Sequence, residues 1–164
     1  MSYDFNADEI FQIAEQIERN GAMFYRKMAD TISDENLKKE LQNLEAMEND
    51  HEKTFSSLRA NLSAKERQQT TFDPEDETAL YLKALSDIRV FDKQAEKDFL
   101  VPAGSSEEEI TRKIFREAIN LEKESIVFYI GIKELVPEAL GKKKIDGIIK
   151  EEMGHIRLLS SKLF

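Results

Sequence analysis

Cysteine and tryptophan are absent from the chain, and proline and glycine are scarce, with three and six residues among 164. Without thiols the chain forms no disulfide and no thiolate metal site, so any metal must be held by oxygen and nitrogen ligands. The remaining composition is 40% apolar and 35% charged, which is typical of long amphipathic helices. The length suits one domain. We therefore expect an all-α chain that forms a single domain over residues 1–164.

Positive charge is also in short supply, with 24 Lys and Arg against 33 Asp and Glu and a net charge of -9. This balance repels a phosphate backbone, and no basic patch with interleaved aromatics offsets it, so nucleic acid is not an expected partner. No run of 18 apolar residues occurs, and the start MSYDFNADEI lacks the basic and apolar regions of a signal peptide. We expect a cytoplasmic protein without a membrane partner.

Two stretches of the chain resemble each other. A shift of 104 residues aligns them without a gap, and the aligned pairs include Glu18 with Glu122, Tyr25 with Tyr129, Glu48 with Glu152 and His51 with His155. Such self-similarity indicates two copies of one supersecondary unit. Most neighbouring acidic residues do not repeat, since Glu15 aligns with Ile119 and Glu151 with Met47. The repeat therefore singles out six polar residues, four glutamates and two histidines.

Each copy has the signals of a helical hairpin. Asn6 with Glu9 predicts a capping box for a first helix at 7–32, and Ser33-Asp34 separates it from a second helix at 34–61. In the second copy, Ser106 precedes a third helix that runs to about 136, and Pro137 suits the first turn of a fourth helix. The predicted hairpins span 7–61 and 106–163.

The segment between the hairpins, residues 62–105, is predicted to be a long crossover. It contains a loop that ends in Asp73-Pro74 and an amphipathic stretch with Ala79, Leu82, Leu85 and Ile88, which predicts a short helix. The predicted architecture is an antiparallel four-helix bundle with a long crossover between its second and third helices.

The repeated polar residues lie on the apolar stripes of their helices. In the second helix Leu41, Leu44, Glu48, His51 and Phe55 follow one another at steps of three or four residues and share one face. The other three helices also carry repeated polar residues on their apolar faces: Glu18 in the first helix, Glu122 in the third, and Glu152 with His155 in the fourth. The four glutamates are each 15 residues from the turn of their hairpin, about 22 Å along the helix axis. Four glutamates and two histidines should therefore meet in one buried layer.

Burying even one unpaired ion costs several kcal/mol, so four carboxylates in an apolar layer need compensating charge. No lysine or arginine occupies the stripes at this level, whereas two divalent cations would supply the four positive charges required. Oxygen donors with one imidazole per metal suit iron or manganese better than structural zinc. The pattern predicts two iron ions, with manganese possible, bound by Glu18, Glu48, His51, Glu122, Glu152 and His155.

A different interpretation of the layer is a pair of buried Glu-His hydrogen bonds that fix the register of the bundle, which would leave Glu18 and Glu122 without partners. Tyr25 and Tyr129 lie two turns beyond these glutamates on the same stripes. They are either core aromatics or hydrogen-bond donors to the ligand carboxylates.

Four motifs resemble those of the ferritin-like superfamily and, within it, of rubrerythrin-like di-iron proteins: EQIERNGAMFYRKMA, ENDH, EKESIVFY and EEMGH. The resemblance covers both hairpins. It implies a di-iron centre in which Glu18 and Glu122 are terminal ligands, Glu48 and Glu152 bridge the metals, and each histidine supplies one nitrogen. The six residues would act in catalysis through the metals, with Tyr25 and Tyr129 beside them.

The resemblance also implies a reaction. Rubrerythrins reduce hydrogen peroxide with two electrons from the diferrous pair, so we expect an oxidoreductase that reacts with peroxide or dioxygen, as a homodimer. The cysteine-ligated rubredoxin domain common in that family is absent, which requires a separate electron-donor protein. Ser125 stands where rubrerythrins carry a further glutamate.

Two other functions stay open. One is an iron-binding or ferroxidase protein for iron storage or handling, although the sequence ends in SSKLF without the fifth helix that completes bacterioferritin-like cages. The other is a non-catalytic helical interaction module in which the polar layer only enforces pairing.

Overall fold

The helices of the bundle begin and end close to the capping residues of the sequence. The computed structural model describes residues 6–68, 80–81, 84 and 104–163. Within these ranges the main elements are α1 (Ala7–Thr31), α2 (Glu35–Ala60), α3 (Ala64–Gln68), α4 (Glu107–Leu135) and α5 (Lys142–Ser160), with a 3₁₀ turn at Glu138–Leu140. The predicted all-α fold is confirmed.

Side chains cap three of the four long helices at their first turn. Asn6 and Glu9 form the predicted capping box, in which the Glu9 N–H donates to Asn6 Oδ1 at 2.9 Å and the Asn6 N–H donates to Glu9 Oε2 at 3.1 Å. Ser106 and Glu109 repeat this arrangement on α4. Asp34 caps α2 by accepting from the backbone N–H groups of Asn36 and Leu37. These caps satisfy donors that have no partner inside a helix.

The start of the fourth long helix was predicted wrongly. Pro137 is extended, with φ -60° and ψ 153°, and only the 3₁₀ turn follows it. Gly141 then adopts a left-handed conformation at φ 109°, and α5 starts at Lys142. A left-handed residue interrupts a right-handed helix, and glycine adopts it without steric cost.

The long helices form two antiparallel hairpins that pack face to face as a four-helix bundle. In the described chain α1 packs along α2, and α4 along α5. Apolar residues from the start of α1, the end of α2, the end of α4 and the start of α5 form one core cluster, which includes Ile10, Phe55, Ile132 and Ile145. The opposite ends form a second cluster, which includes Met28, Leu41, Phe115 and Leu159. Helices α1 and α4 therefore run in opposite directions.

The connection between the hairpins begins with the five-residue α3. Leu80, Tyr81 and Ala84 are helical, and the Tyr81 hydroxyl donates to the Val127 carbonyl of α4 at 3.3 Å. The rest of the short helix predicted from Ala79, Leu82, Leu85 and Ile88 lies outside the described residues. No helix in the described ranges is long and apolar enough to cross a membrane.

The two apolar clusters are separated by a layer of buried polar residues. Phe11 and Phe55 in the first cluster, and Leu41 and Leu44 in the second, are at most 2% exposed. Glu18 and Glu48 lie between these groups along α1 and α2, and they are buried as well. The polar layer therefore crosses the middle of the bundle.

Replacing Gly141 with alanine should destabilise the fold for two separable reasons. The left-handed backbone costs about 1–2 kcal/mol for a residue with a Cβ, and the new Cβ would lie 2.5 Å from Leu58 Cδ2, adding about 1–3 kcal/mol for overpacking. Gly104 also has a positive φ, but its Cβ would meet nothing within 4 Å. In chemical denaturation we expect Gly104→Ala to lose only the first contribution. Equal losses in both variants would contradict a packing role for Gly141.

Candidate metal centre

All six repeated polar residues reach the layer between the two apolar clusters. Glu18 comes from α1, Glu48 and His51 from α2, Glu122 from α4, and Glu152 with His155 from α5. None of the six is more than 4% exposed. The apolar periodicity of each helix explains this burial, because each residue occupies a position that would otherwise hold a core side chain.

The six residues form two groups of four, each with the donor arrangement of a metal site. One group contains Glu18, Glu48, His51 and Glu152, and the other contains Glu48, Glu122, Glu152 and His155. Within each group one oxygen or nitrogen per residue lies within 4.8 Å of all the others. Because Glu48 and Glu152 belong to both groups, the two positions are adjacent and share two carboxylates.

The Nδ1 atom of each histidine faces the carboxylates. His51 Nδ1 lies 3.0 Å from Glu152 Oε1 and 3.5 Å from Glu18 Oε2. His155 Nδ1 lies 2.8 Å from Glu152 Oε2, 3.3 Å from Glu122 Oε1 and 3.5 Å from Glu48 Oε1. The two imidazole rings are stacked at 5.9 Å with 21° between their planes. Glu152 thus offers one oxygen to each position.

Several of these atoms are close together without being hydrogen-bonded. Among the described residues, Glu48 Oε1, both Glu152 oxygens and both Nδ1 atoms are buried and have no hydrogen-bond partner, since their distances are short but their angles are not those of hydrogen bonds. Ligand atoms that surround a cation at about 2.1 Å are about 3 Å from their neighbours and point at the ion. The donor set therefore fits metal ions better than it fits a pair of Glu-His hydrogen bonds.

A buried carboxylate nearby shows how this protein neutralises such a group with its own cations. Glu15 is 4% exposed, and its Oε2 lies 3.0 Å from Arg19 and 3.5 Å from Arg59. No lysine or arginine in the described ranges makes such a pair with the six layer residues. The four layer carboxylates thus depend on protons or metal ions for their neutralisation.

The two tyrosines donate hydrogen bonds across the bundle. The Tyr25 hydroxyl of α1 donates to Glu122 Oε1 of α4, and the Tyr129 hydroxyl of α4 donates to Glu18 Oε1 of α1. Both phenols are at most 1% exposed. Burial and the adjacent carboxylates raise the pKa of both well above its usual range, so both stay protonated donors.

Protons balance the charge of the metal-free layer. Burial raises the pKa of Glu48 well above its usual range and that of Glu122 to about 7. Burial would lower the pKa of both histidines, but their carboxylate neighbours outweigh it and raise the pKa of His51 to about 11 and that of His155 to about 9. Burial disfavours ionised Glu152, yet the two histidines lower its pKa to about 2. Metal binding must therefore displace protons.

A surface cleft of about 580 Å³ lies between α2 and α5 beside one metal position, and its lining includes His51, Thr54, Lys144 and Glu151. The Glu151 carboxylate reaches the far side of the His51 ring, with Oε2 2.9 Å from Nε2. Glu151 is not one of the six repeated polar residues, because its counterpart in the repeat is Met47. No periodic signal could have revealed a contact between two hairpins at a non-repeating position.

Two small residues also occupy repeat-related positions beside the layer. A Cβ on Gly21 would lie 3.2 Å from Glu48 Oε2, so glycine leaves room for the shared carboxylate. Its counterpart is the half-buried Ser125, whose hydroxyl donates to the Leu121 carbonyl of its own helix at 3.1 Å. The Ser125 side chain is therefore hydrogen-bonded to the backbone of its own helix.

Comparison with solved structures identifies the architecture. A ferritin-like diiron-carboxylate protein from Thermotoga maritima matches with a TM-score of 0.70, over 98% of this chain and 95% of that chain, at 20% sequence identity. The chain has the ferritin-like fold. No protein-family model and no curated protein sequence matches it. The ferritin-like bundle and its buried Glu/His cluster together make the polar layer a candidate di-metal site.

As the pH rises, the metal-free protein should become less stable and the stabilisation by bound metal should become larger. A group whose pKa rises on folding stabilises the folded state below its unfolded pKa and loses that contribution as the pH passes its folded value. The pKa of Glu122 rises from 4.5 to about 7, and that of His155 rises from 6.5 to about 9. The melting temperature in chelator should therefore fall as the pH rises from about 5 to 9. Metal binding releases these protons. The increase in melting temperature that Mn²⁺ causes should therefore become larger over the same rise in pH. A pH-independent increase would contradict this account.

Replacing Gly21 with alanine should weaken metal binding without weakening the bundle. Alanine in a helix interior stabilises by about 0.5–1 kcal/mol relative to glycine, but here its Cβ would press on the Glu48 carboxylate. We expect an unchanged or higher melting temperature in chelator and about tenfold weaker binding of Mn²⁺. Gly147→Ala is the matched control, since its Cβ would meet nothing within 4 Å. Identical metal affinities in the two variants would refute the role of Gly21.

Proposed function

We propose that the protein is a di-iron carboxylate oxidoreductase of rubrerythrin type that reacts with hydrogen peroxide or dioxygen. One observation carries the proposal: two sets of buried oxygen and nitrogen donors converge, share Glu48 and Glu152, and have no lysine or arginine paired with them in the described structure. A layer built only to fix helix register would pair its donors with its acceptors. A non-catalytic interaction module is therefore the weaker hypothesis.

The ligand roles follow from the two groups. Glu48 and Glu152 belong to both positions and would bridge the metals, whereas Glu18 and Glu122 each belong to one and would be terminal. The histidines would each bind through Nδ1, the nitrogen that faces the carboxylates. Carboxylate oxygens with one imidazole nitrogen per metal favour iron, with manganese as the substitute. When bound as a ferrous pair, the metals would supply two electrons, which with two protons reduce hydrogen peroxide to two water molecules or dioxygen to the level of peroxide.

The remaining residues of the layer would control orientation and solvent. Tyr25 and Tyr129 each donate to a terminal carboxylate, which leaves the second oxygen of that carboxylate for the metal. The apolar clusters on both sides exclude bulk water, so charges in the layer interact more strongly than at the surface. The cleft beside His51 would admit a molecule as small as peroxide or dioxygen.

The partners belong to the same proposal. A chain without cysteine has no iron-sulfur or rubredoxin-type centre of its own, so the electrons would come from a separate donor protein. We propose a cytoplasmic homodimer as the working form. An iron-storage ferroxidase would use the same ligands, and the stoichiometry of iron oxidation separates it from a peroxidase.

The decisive measurement is reaction of the iron-loaded protein with peroxide. Protein purified without added metal is analysed for bound metal, then loaded anaerobically with two ferrous ions and mixed with hydrogen peroxide in stopped flow. Because one peroxide accepts two electrons, we expect both irons to be oxidised per peroxide, faster than free ferrous ion. Glu122→Gln removes one terminal ligand charge and should slow the reaction by at least tenfold, whereas exposed Glu134→Gln should not.

Oxidation no faster than that of free ferrous ion would refute the peroxidase function. Turnover of many ferrous ions per site with dioxygen, by a protein that elutes as a large cage, would favour storage. Protein that binds no metal and melts identically with and without chelator would favour the interaction module, since a ligand that binds only the folded state must stabilise it.

A further inference from the structure

We propose that Glu151 makes the two metal positions unequal, so that the position of His51 binds the first divalent cation and the position of His155 binds the second more weakly. The proposal rests on the di-metal centre proposed above and deepens it. It assigns a positioning role to a residue outside the six repeated ligands.

The two positions have nearly the same immediate surroundings. Each has one histidine, one glutamate of its own and the two shared glutamates. Each glutamate that is not shared accepts a hydrogen bond from a tyrosine of the opposite hairpin. A difference in affinity therefore has to come from residues that the repeat does not match.

Glu151 supplies that difference on the side of His51. Its Oε2 lies 2.9 Å from His51 Nε2. A carboxylate only accepts hydrogen bonds, so this contact keeps a hydrogen on Nε2, and the ring proton that a metal displaces is the one on Nδ1, which faces Glu18 and Glu152. Before any metal arrives, the His51 ring is thus held in the orientation that a ligand needs.

Within the part of the chain that the structure describes, His155 has no corresponding support. Its Nε2 is buried and has no hydrogen-bond partner among the described residues, and the residue that matches Glu151 in the repeat is Met47. Binding a metal through Nδ1 would leave the Nε2 hydrogen buried and unpaired, which is costly. The thioether of methionine is only a weak acceptor, so this side chain offers no replacement.

The size of the effect follows from the general behaviour of such contacts. Loss of a hydrogen-bonding partner behind a metal-ligating histidine lowers metal affinity by about ten- to a hundredfold. Repulsion between two neighbouring cations also separates the two binding steps, even for equal positions. The test therefore has to compare variants as well as the two steps of the natural protein.

The first arm removes the contact. Metal-free protein is titrated with Co²⁺. Binding is measured by calorimetry and by the visible absorption of bound cobalt. We expect Glu151→Leu to weaken the first step by about ten- to a hundredfold and leave the second nearly unchanged. Glu151→Gln keeps an acceptor oxygen and should restore part of the loss. Glu134→Leu removes an equivalent charge from an exposed position on α4 and should change neither step.

A second arm builds the missing contact on the other side. Met47 is 38% exposed on α2, and Met47→Glu places a carboxylate at the position that matches Glu151. It should strengthen the second step and leave the first nearly unchanged. Met23→Glu adds the same charge at another exposed methionine, 44% exposed on α1, and should leave both steps as they are. This arm does not depend on whether Glu151→Leu folds.

The third measurement determines which of the two metal positions binds the first Co²⁺ ion. The chain contains only two histidines, so ring signals from ¹⁵N-histidine-labelled protein are assigned with a His51→Ala variant. The first equivalent of Co²⁺ should perturb the His51 signals before those of His155. Simultaneous perturbation, equal weakening of both steps by Glu151→Leu, or no weakening at all would overturn the proposal while leaving the di-metal centre intact. Absence of cobalt binding would instead refute the centre, and the inference with it.

Discussion

The burial of four carboxylates in one layer, with no lysine or arginine paired to them in the described chain, is the constraint on which the rest of the structure depends. Glu15 shows that the same bundle can neutralise a buried carboxylate with two arginines. In the layer this compensation falls to protons in the metal-free state, which explains the raised pKa values of His51 and His155. Metal ions bound in the layer would replace those protons, which would link folding, protonation and metal binding.

The layer also determines how the bundle is packed. It divides the apolar interior into two clusters, one at each end, and each cluster contributes one tyrosine that donates into the layer from its own side. Because Tyr25 and Tyr129 bond to carboxylates of the opposite hairpin, they join the two hairpins at the level where apolar contacts are fewest. The donors are thereby held close together before a metal binds, which reduces the ordering that binding requires.

Repetition of one hairpin supplies a nearly symmetric set of ligands, and departures from the repeat supply the chemical differences. Gly21 and Ser125 differ in the room they leave beside the shared carboxylates, and Glu151 and Met47 differ in what they offer the histidines. A centre whose metals are held unequally can keep one in place while the other exchanges or changes its ligands. Such a division of roles would suit the proposed reaction, in which a small oxidant binds at one position.

Much of this site is determined by the sequence alone, because helical periodicity and the repeat are properties of single helices. The apolar stripes brought Glu18, Glu48, His51, Glu122, Glu152 and His155 to one depth, and the caps at Asn6, Asp34 and Ser106 set the helix starts. Only the tertiary structure decided which tyrosine meets which carboxylate, that Glu151 supports His51, and that α5 starts after Gly141. Those features depend on the rotation and axial offset of one hairpin against the other and on a single backbone angle, which no pattern within a helix records.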